Sequence, residues 1–342
     1  MRRGLAVVSF AVCSLSLLCL PACERPGEQE AEVVVYTSVD QVYAREVFDL
    51  FREQSGIEVR PVFDTEAAKT TGLYLRLLTE RRAPRADVFW NNEISRTLQL
   101  VEEGLAGDLS RLVPEDIPRR WVDPEGRWVA FSLRARVIVY NTDLVSAEEA
   151  PRTLAELTEE RWRAKVVMAN PLFGTTASHM AALYELMGEE AAEVFLKRLK
   201  DNEVRLVEGN SVVRDMVGRG EMPVGLTDTD DVFSGIDNDM PIDLVLPDQE
   251  GMGTFVVPNS VMLVAGGPHA EAAQTFVRFL LEPEVEKLLA FSRARQLPVR
   301  AGVPRPQELE PLTSLRAMDV EYGRVARRMP ESVRRLEEFF LR

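Results

Sequence analysis

The order of apolar and polar stretches along the chain predicts an α/β fold. Short apolar runs at 33–37, 57–63 and 86–90 alternate with segments of helical periodicity that end at Gly56 and Gly104. Compact apolar runs of this length are typical of buried parallel strands, and glycine is a common residue at the end of a helix. The alternation of strand and helix therefore predicts a parallel sheet with helices on its faces.

A second series of strands and helices follows the first. Its apolar runs are at 166–169, 204–207 and 223–226. Runs of β character at 127–131, 134–140 and 255–264 join the two series. Pro258 lies inside the last run, and a proline there predicts an edge strand, a bend or a crossover. Two α/β series joined in this way predict two lobes, each a mainly parallel sheet flanked by helices, with a ligand cleft between them.

The order of these elements also predicts the bounds of the lobes. Lobe 1 comprises 32–132 together with 256–298, and lobe 2 comprises 133–255 together with C-terminal helices in 299–342. The last of these helices is predicted near 331–341.

The first residues predict export. Arg2 and Arg3 precede an uncharged run at 5–20, which is too short for a membrane-spanning helix and typical of a signal peptide over 1–22. The run ends in the sequence LPAC, which resembles a bacterial lipobox with Cys23 as the lipidated residue, and a plain signal peptide is the alternative. Residues 23–31 are then a polar tether. The protein is expected on the periplasmic or cell-surface side, held to the membrane only through this lipid.

Charge and motif content exclude several functions. The chain has 55 acidic and 41 basic residues and a net charge of −14, which disfavours nucleic-acid binding. Two histidines are too few for a multi-histidine metal site. The sequence has no G-x-S-x-G, H-E-x-x-H or phosphate-loop motif. We therefore expect a binding protein rather than an enzyme, with no resident cofactor, and an exported enzyme remains the lower-ranked alternative.

An acidic cluster follows the apolar run at 223–226. Asp228, Asp230 and Asp231 stand at the carboxyl end of this predicted strand, where ligands bind in α/β sheets. Three carboxylates this close repel one another unless something offsets them. A hard cation, an amine or sugar hydroxyls could do so, and helix capping with solvation is the alternative.

Two helix starts are candidates for an anion site. Gly174, Thr175 and Thr176 precede one apolar helix, and Asn210 begins another. Free N–H groups and the positive end of the helix dipole favour an anion at such a place, although routine capping explains the same residues. Ser38 follows the first strand and is expected near these residues. Tyr140 ends a strand and offers a phenol either to the cleft or to the core.

Several segments, taken together, resemble bacterial ABC-transporter solute-binding proteins of the ferric-iron-binding class. The segments are VVVYTS (33–38), ADVFWNNE (86–93), SLRARVIVYNTD (132–143), NPLFGTTA (170–177), EGNSVVRDMV (208–217) and the long run at 256–289. The resemblance covers nearly the whole chain after the signal. It implies a two-lobed periplasmic-binding-protein fold that closes on its ligand, with a membrane permease and an ATPase as partners, and we expect a monomer.

The resemblance also implies a ligand set. The metal position after the first strand corresponds to Asp40, the next to Glu93, and a tyrosine pair of the family falls within 228–231, where this chain has aspartates. The anion motif of the family is matched at Gly174, Thr175, Thr176 and Asn210. We therefore expect Asp40, Glu93, Tyr140 and the acidic cluster to hold ferric iron or another hard cation, with a companion anion at the helix starts and Ser38. The alternative ligand is a small phosphorylated, phosphonate or amine-containing organic molecule.

Overall fold

A ten-stranded sheet flanked by helices forms the body of the computed structural model, which describes residues 31–64 and 71–340. The predicted signal peptide, Cys23 and all but the last residue of the tether lie outside these residues. Within them, no helix has both the length and the apolar character that a membrane span requires.

The strands are short apart from two that run through the centre of the sheet. They are β1 (Glu32–Thr37), β2 (Glu58–Phe63), β3 (Val88–Asn91), β4 (Val129–Asn141), β5 (Val166–Ala169), β6 (Arg205–Val207), β7 (Val224–Asp228), β8 (Ile242–Val245), β9 (Val256–Leu263) and β10 (Leu297–Pro298).

Most of the helices lie between strands in the chain, and α5, α9 and α11 each follow another helix. They are α1 (Gln41–Ser55), α2 (Thr71–Thr79), α3 (Ile94–Glu102), α4 (Gly174–Met187), α5 (Glu189–Asp201), α6 (Asn210–Gly218), α7 (Thr229–Ile236), α8 (Ala270–Leu280), α9 (Pro283–Phe291), α10 (Glu310–Thr313) and α11 (Tyr322–Phe340).

The order of strands divides the sheet into two halves. The order is β2-β1-β3-β9-β4-β7-β5-β6, with β8 and β10 also paired to β4. In the first half β1 pairs in parallel with β2 and β3, and in the second half β5 pairs in parallel with β6 and β7. The antiparallel strands β4 and β9 join the halves. The predicted fold class, two mainly parallel α/β series joined by β segments, is confirmed.

The two joining strands differ from their predicted form. We predicted separate runs at 127–131 and 134–140, but β4 is continuous, because β9 pairs with its first part and β7 with its last. A register shift between Ala130 and Ser132 marks a bulge within it. β9 is not an edge strand. Its Pro258 lies opposite Leu133 of β4. On the other side of β9, β3 pairs only with residues 260–263. The N–H that proline lacks is therefore not needed for pairing with β3.

Separate apolar cores support the halves. The first half packs α1, α3, α8 and α9 against β1, β3 and β9, with Phe51 and Phe276 in edge-to-face contact at 4.9 Å. In the second half one core contains Met180 and Leu196, and another contains Val213 and Val232. Each apolar strand is thus covered by helices that contribute their own apolar stripe.

The last helix is longer than predicted. α11 begins at Tyr322, not near 331, and contains Pro330. It continues through the proline because Val325, Met329 and Leu336 keep a buried stripe at helical spacing. The helix packs against α3 of the first half and against α4 and α5 of the second.

Gly253 lies where the backbone just before β9 approaches the backbone at 316–317. It has a φ of +87°, and a Cβ at this position would lie 2.7 Å from the carbonyl oxygens of Arg316 and Ala317. The next residue, Thr254, donates its N–H to Arg316 O at 2.8 Å and accepts from Met318 N at 2.9 Å. The close approach of the two backbones therefore requires glycine.

We expect Gly253→Ala to lower the free energy of unfolding by roughly 1–3 kcal/mol, since it adds both backbone strain and a clash. Gly302→Ala is the matched control, because nothing lies within 4 Å of its added Cβ and its φ is not positive. Urea unfolding of both variants measures the difference. Equal stabilities would contradict the assigned role of Gly253.

Candidate functional site

Five strand-to-helix turns meet at one small cavity between the two halves. They are β1–α1, β3–α3, β5–α4, β6–α6 and β7–α7. The cavity has a volume of about 40 Å³. Its lining residues are Asp40, Asn92, Arg134, Ala169, Asn170, Phe173, Gly174, Thr175, Thr176, Glu208, Gly209, Asn210, Asp228, Asp230 and Asp231.

Larger cavities lie elsewhere, but they do not gather the same chemistry. One of about 820 Å³ lies beside Trp121 and Tyr322, and one of about 1090 Å³ lies beside Phe233 and Leu244. Neither is lined by a residue of the acidic cluster. The small cavity is the candidate site because it combines carboxylates with the starts of several helices.

Asp228 is completely buried and held by the protein itself. Its Oδ1 accepts from Arg136 Nη1 at 2.7 Å, and its Oδ2 accepts from Thr175 Oγ1 at 2.7 Å and Asn210 Nδ2 at 2.9 Å. Arg134 Nη1 lies 3.2 Å from the same Oδ2. Burial raises the pKa of this carboxyl, but Arg136 and Arg134 outweigh burial, so the net shift is downward. Asp228 is therefore ionised and anchors the site.

Asp230 has one carboxylate oxygen that no other described residue bonds. Its Oδ2 accepts from Arg134 Nη1 at 2.7 Å, whereas its buried Oδ1 has no hydrogen-bond partner among the described residues. Burial raises the pKa of Asp230, Arg134 lowers it, and the nearby charge of Asp228 raises it again, with a net upward shift. An unsatisfied buried oxygen is costly unless a ligand completes it.

Asp231 completes the acidic cluster. Its Oδ2 accepts from Thr227 Oγ1 at 3.1 Å. One carboxylate oxygen from each of Asp228, Asp230 and Asp231 lies within 4.8 Å of the others, a spacing that suits a single cation. Asp40, at the N-cap position of α1, lines the cavity from the first half.

Sequence analysis missed the two arginines of the site. Arg134 and Arg136 point to the same side of β4, where they pair with Asp230 and Asp228. They balance part of the negative charge of the acidic cluster, for which the sequence analysis considers only a ligand or solvent. The sequence does contain a signal for them, namely two arginines at positions i and i+2 of a mostly apolar strand. Such residues lie on one face of the strand, and buried charges require partners of opposite charge.

The side chains of the predicted anion residues are engaged within the protein. Thr175 donates to Asp228, and Thr176 accepts from Arg136 Nη2 at 3.3 Å. Asn210 donates to Thr175 Oγ1 at 3.0 Å. Neither α4, which begins at Gly174, nor α6 has a side-chain cap. Their first-turn N–H groups are what an anion would meet here.

Three other predicted site residues do not line the cavity. Glu93 caps α3, accepting from Ser95 N at 2.6 Å and Arg96 N at 3.2 Å. Ser38 Oγ accepts from Asn92 N at 3.0 Å, and its one hydroxyl proton faces Asn91 Oδ1 at 2.6 Å and Asn92 Oδ1 at 2.8 Å, so Ser38 orders the β3–α3 turn. Tyr140 lies opposite Val224, at the other end of β7 from Asp228, and its hydroxyl donates to Asp243.

Tyr43 is a further side chain near the acids that sequence analysis did not select. It lies in the first turn of α1 and is buried. Burial raises the pKa of its phenol, and the neighbouring charge of Asp230 raises it further. Tyr43 is therefore a neutral phenol beside the acidic cluster.

His179 lies behind the site in α4. Its ring stacks on Phe255 with centroids 5.4 Å apart, and neither ring nitrogen has a hydrogen-bond partner among the described residues. Burial lowers the pKa of His179 to about 3, and the charge of Arg136 lowers it further than Asp228 raises it. The histidine is therefore a neutral core residue.

Comparison with known proteins gives one family and several relatives. A family model for bacterial extracellular solute-binding proteins matches residues 92–322. Iron uptake protein A1 of Synechocystis sp. is 29% identical over 294 residues, which cover 83% of this chain and 80% of the relative.

Solved structures share the fold. The Trichodesmium protein IdiA (FutA), in complex with iron and citrate, has a TM-score of 0.76 and 24% identity over 91% of this chain and all of its own. The ferric binding protein of Campylobacter jejuni has a TM-score of 0.81 and 21% identity, covering 90% of this chain and 99% of its own.

We expect Asp228→Asn and Arg136→Met each to lower the free energy of unfolding by roughly 3–5 kcal/mol, because each leaves a buried charge without its partner. The double variant should lose clearly less than the sum of the two, as measured in a double-mutant cycle by urea unfolding. The exposed pair Lys197–Asp201 is the control, with an expected coupling below roughly 1 kcal/mol. Additive losses at Asp228 and Arg136 would refute the pairing.

We also expect the free energy of unfolding to fall as the pH drops below 6.5, because unfolded His179 takes up a proton that the folded state excludes down to about pH 3. Between these two pH values, His179 lowers the free energy of unfolding by about 1.4 kcal/mol for each unit that the pH falls. His179→Phe keeps the stacked ring and should flatten the slope measured by urea unfolding from pH 7 to 4. Tyr184→Phe on the same helix should leave the slope unchanged, and an unaltered slope in His179→Phe would contradict the assignment.

Proposed function

The chain belongs to the family of bacterial extracellular solute-binding proteins, and from this premise we propose that it is the substrate-binding component of an ABC importer of the ferric-iron class. Proteins of this family are exported binding proteins rather than enzymes. Its relatives include an iron uptake protein and a ferric binding protein. The cargo in this proposal is ferric iron or a similarly hard cation.

The acidic cluster at the cavity is the observation that carries the proposal. Hard cations take oxygen ligands, and three carboxylate oxygens lie within 4.8 Å of one another. The unpartnered Oδ1 of Asp230 is the oxygen best placed to gain from a cation. Asp40 adds a carboxylate from the first half.

A companion anion fits the same cavity. The first turns of α4 and α6 face it without side-chain caps, and their N–H groups and dipoles favour negative charge. Gly174, Thr175, Thr176 and Asn210 are the residues at these two turns. In this proposal the anion occupies coordination positions of the cation that the carboxylates leave free.

Capture is proposed to proceed by closure of two lobes. Their bounds are 32–132 with 256–298, and 133–255 with 299–342. The division is supported by the two parallel halves of the sheet and by β4 and β9, which join them. The partners are a permease and an ATPase. A lipid on Cys23 is proposed to hold the protein, as a monomer, at the membrane surface.

A second candidate cargo is a small organic molecule with an acidic group and an amine or hydroxyls. The uncapped starts of α4 and α6 favour it, because they would bind a phosphate or phosphonate while Asp230 and Asp231 bind the amine. Native mass spectrometry with elemental analysis of the purified protein separates the two. Iron at one atom per chain supports the first cargo, and an organic mass without metal supports the second.

We expect Asp230→Asn and Asp231→Asn each to weaken binding of a trivalent cation at least tenfold, because each removes a charged oxygen ligand. The probe is gallium(III), supplied as its citrate complex to protein stripped with a chelator. At 100 times the dissociation constant it should stabilise the wild type by about 2.7 kcal/mol, visible as a rise in melting temperature.

Asp243→Asn is the matched control for this test. Asp243 is an aspartate of the same half, paired with Tyr140 at the far end of β4, and does not line the cavity. It should keep the wild-type shift. A full gallium shift in both cluster variants would remove the acidic cluster from the site.

A further inference from the structure

Arg134 reaches both sides of the cavity. It lies in β4, where its side chain is 4% exposed. Its Nη2 donates to the carbonyl oxygen of Asn92, in the β3–α3 turn of the first half, at 2.7 Å. Its Nη1 donates to Asp230 Oδ2 of the second half at 2.7 Å. One guanidinium thus joins the two halves through the centre of the candidate site.

The charge of Arg134 falls where a cation bound by the acidic cluster would be. Its Nη1 lies 2.7 Å from Asp230 and 3.2 Å from Asp228, so it bridges two of the three carboxylates that could hold a metal. Arg136 cannot take this place, because its donors are directed to Asp228, to Thr175, Thr176 and Asn210, and to Leu226 O. The counter-charge of Asp230 within the described part of the chain is therefore Arg134.

Arg134 offers little to an anion while it stays in this position. Both of its Nη atoms already donate to Asp230 and Asn92, and its Nε is buried with no partner among the described residues. An anion would meet only those of the five guanidinium N–H groups that these two bonds and the contact with Asp228 leave over. A cation, in contrast, would meet the unpartnered Oδ1 of Asp230 at once. The guanidinium is thus placed as a competitor of a cation rather than as a ligand of an anion.

We propose that Arg134 is a specificity-determining residue that acts as a built-in counter-ion, occupying the cation position of the empty site until a trivalent cargo displaces it from Asp230. This inference rests on the proposed function. Coulomb attraction scales with charge, so at equal distance a trivalent ion attracts the carboxylates about three times as strongly as the guanidinium does, and a monovalent ion about equally. Because a cargo has to displace Arg134 from Asp230, cations of low charge should bind this site weakly.

The test compares Arg134→Met with the wild type. Methionine keeps much of the apolar stem and removes the charge. Gallium(III) and calcium affinities are measured by competition with chelators on stripped protein. We expect Arg134→Met to bind gallium at least tenfold more tightly than the wild type does. Its calcium affinity should increase by a larger factor, so that the ratio of gallium affinity to calcium affinity falls. Its melting temperature should drop without metal and approach that of the wild type when loaded.

Two further variants keep the test decisive. Arg134→Lys retains a cation and should restore most of the discrimination between gallium and calcium. Arg134→Gln is also neutral but retains an N–H donor for Asn92 O. It is used in place of Arg134→Met if the methionine variant does not fold. Arg60→Met is the charge control, since it removes an arginine paired with Glu32 on the surface of the first half. Its affinities should equal those of the wild type.

The outcomes separate this inference from the proposed function. If the wild type binds gallium and folded Arg134→Met or Arg134→Gln binds it equally or less tightly, Arg134 is not a competitor and the inference is overturned. If the wild type binds no trivalent cation, the proposed function fails on that result alone. Metal binding that appears only in the neutral Arg134 variants would then support the counter-ion role, and its absence there would overturn it.

Discussion

The pairing of two buried arginines with two buried aspartates determines how the centre of this protein is arranged. β4 and β7 are antiparallel, and Arg136 lies directly opposite Asp228 in their register. Because charges this deeply buried are stable only with close partners, the strand ends and the first turns of α4 and α6 must come together around them. Thr175 and Asn210 complete the hydrogen bonds of Asp228. The carboxylates of the site are thus positioned by the same contacts that stabilise the second half.

The topology explains why both signs of charge meet at one cavity. Parallel strands in both halves end toward it, so the helices that follow present their N-termini there. Aspartates at or near those N-termini, such as Asp40 and Asp228, are favoured by the helix dipole even before any ligand binds. The result is a site with fixed positive ends of helices, fixed carboxylates and two guanidinium groups paired with them.

Much of this arrangement was predictable from periodicity. The alternation of strands and helices indicated the parallel halves, and Gly56 does end α1 in a left-handed conformation with a φ of 69°. The acidic cluster was found because it follows an apolar strand, a local pattern. Arg134 and Arg136 were missed because their pairing depends on which strand lies next to β4, and a single strand does not reveal its neighbour. Tyr140 and Glu93 illustrate the same limit, since only the register of β7 and the capping geometry of α3 show where their polar atoms are directed.

The placement of α11 has a mechanical consequence. The N-terminus of α4 faces the cavity, whereas Glu185 near the other end of α4 and Glu189 at the start of α5 pair with arginines of α11. A fourteen-residue helix is about 21 Å long, and α11 also contacts α3 through the bond from Gln99 to Ala326 O. The two halves thus also contact each other through α11, at a point remote from the candidate site. In the proposed closure, the displacement is therefore largest at the cavity and smallest beside α11. A rotation of a few degrees over about 21 Å moves the cavity side by an ångström or more.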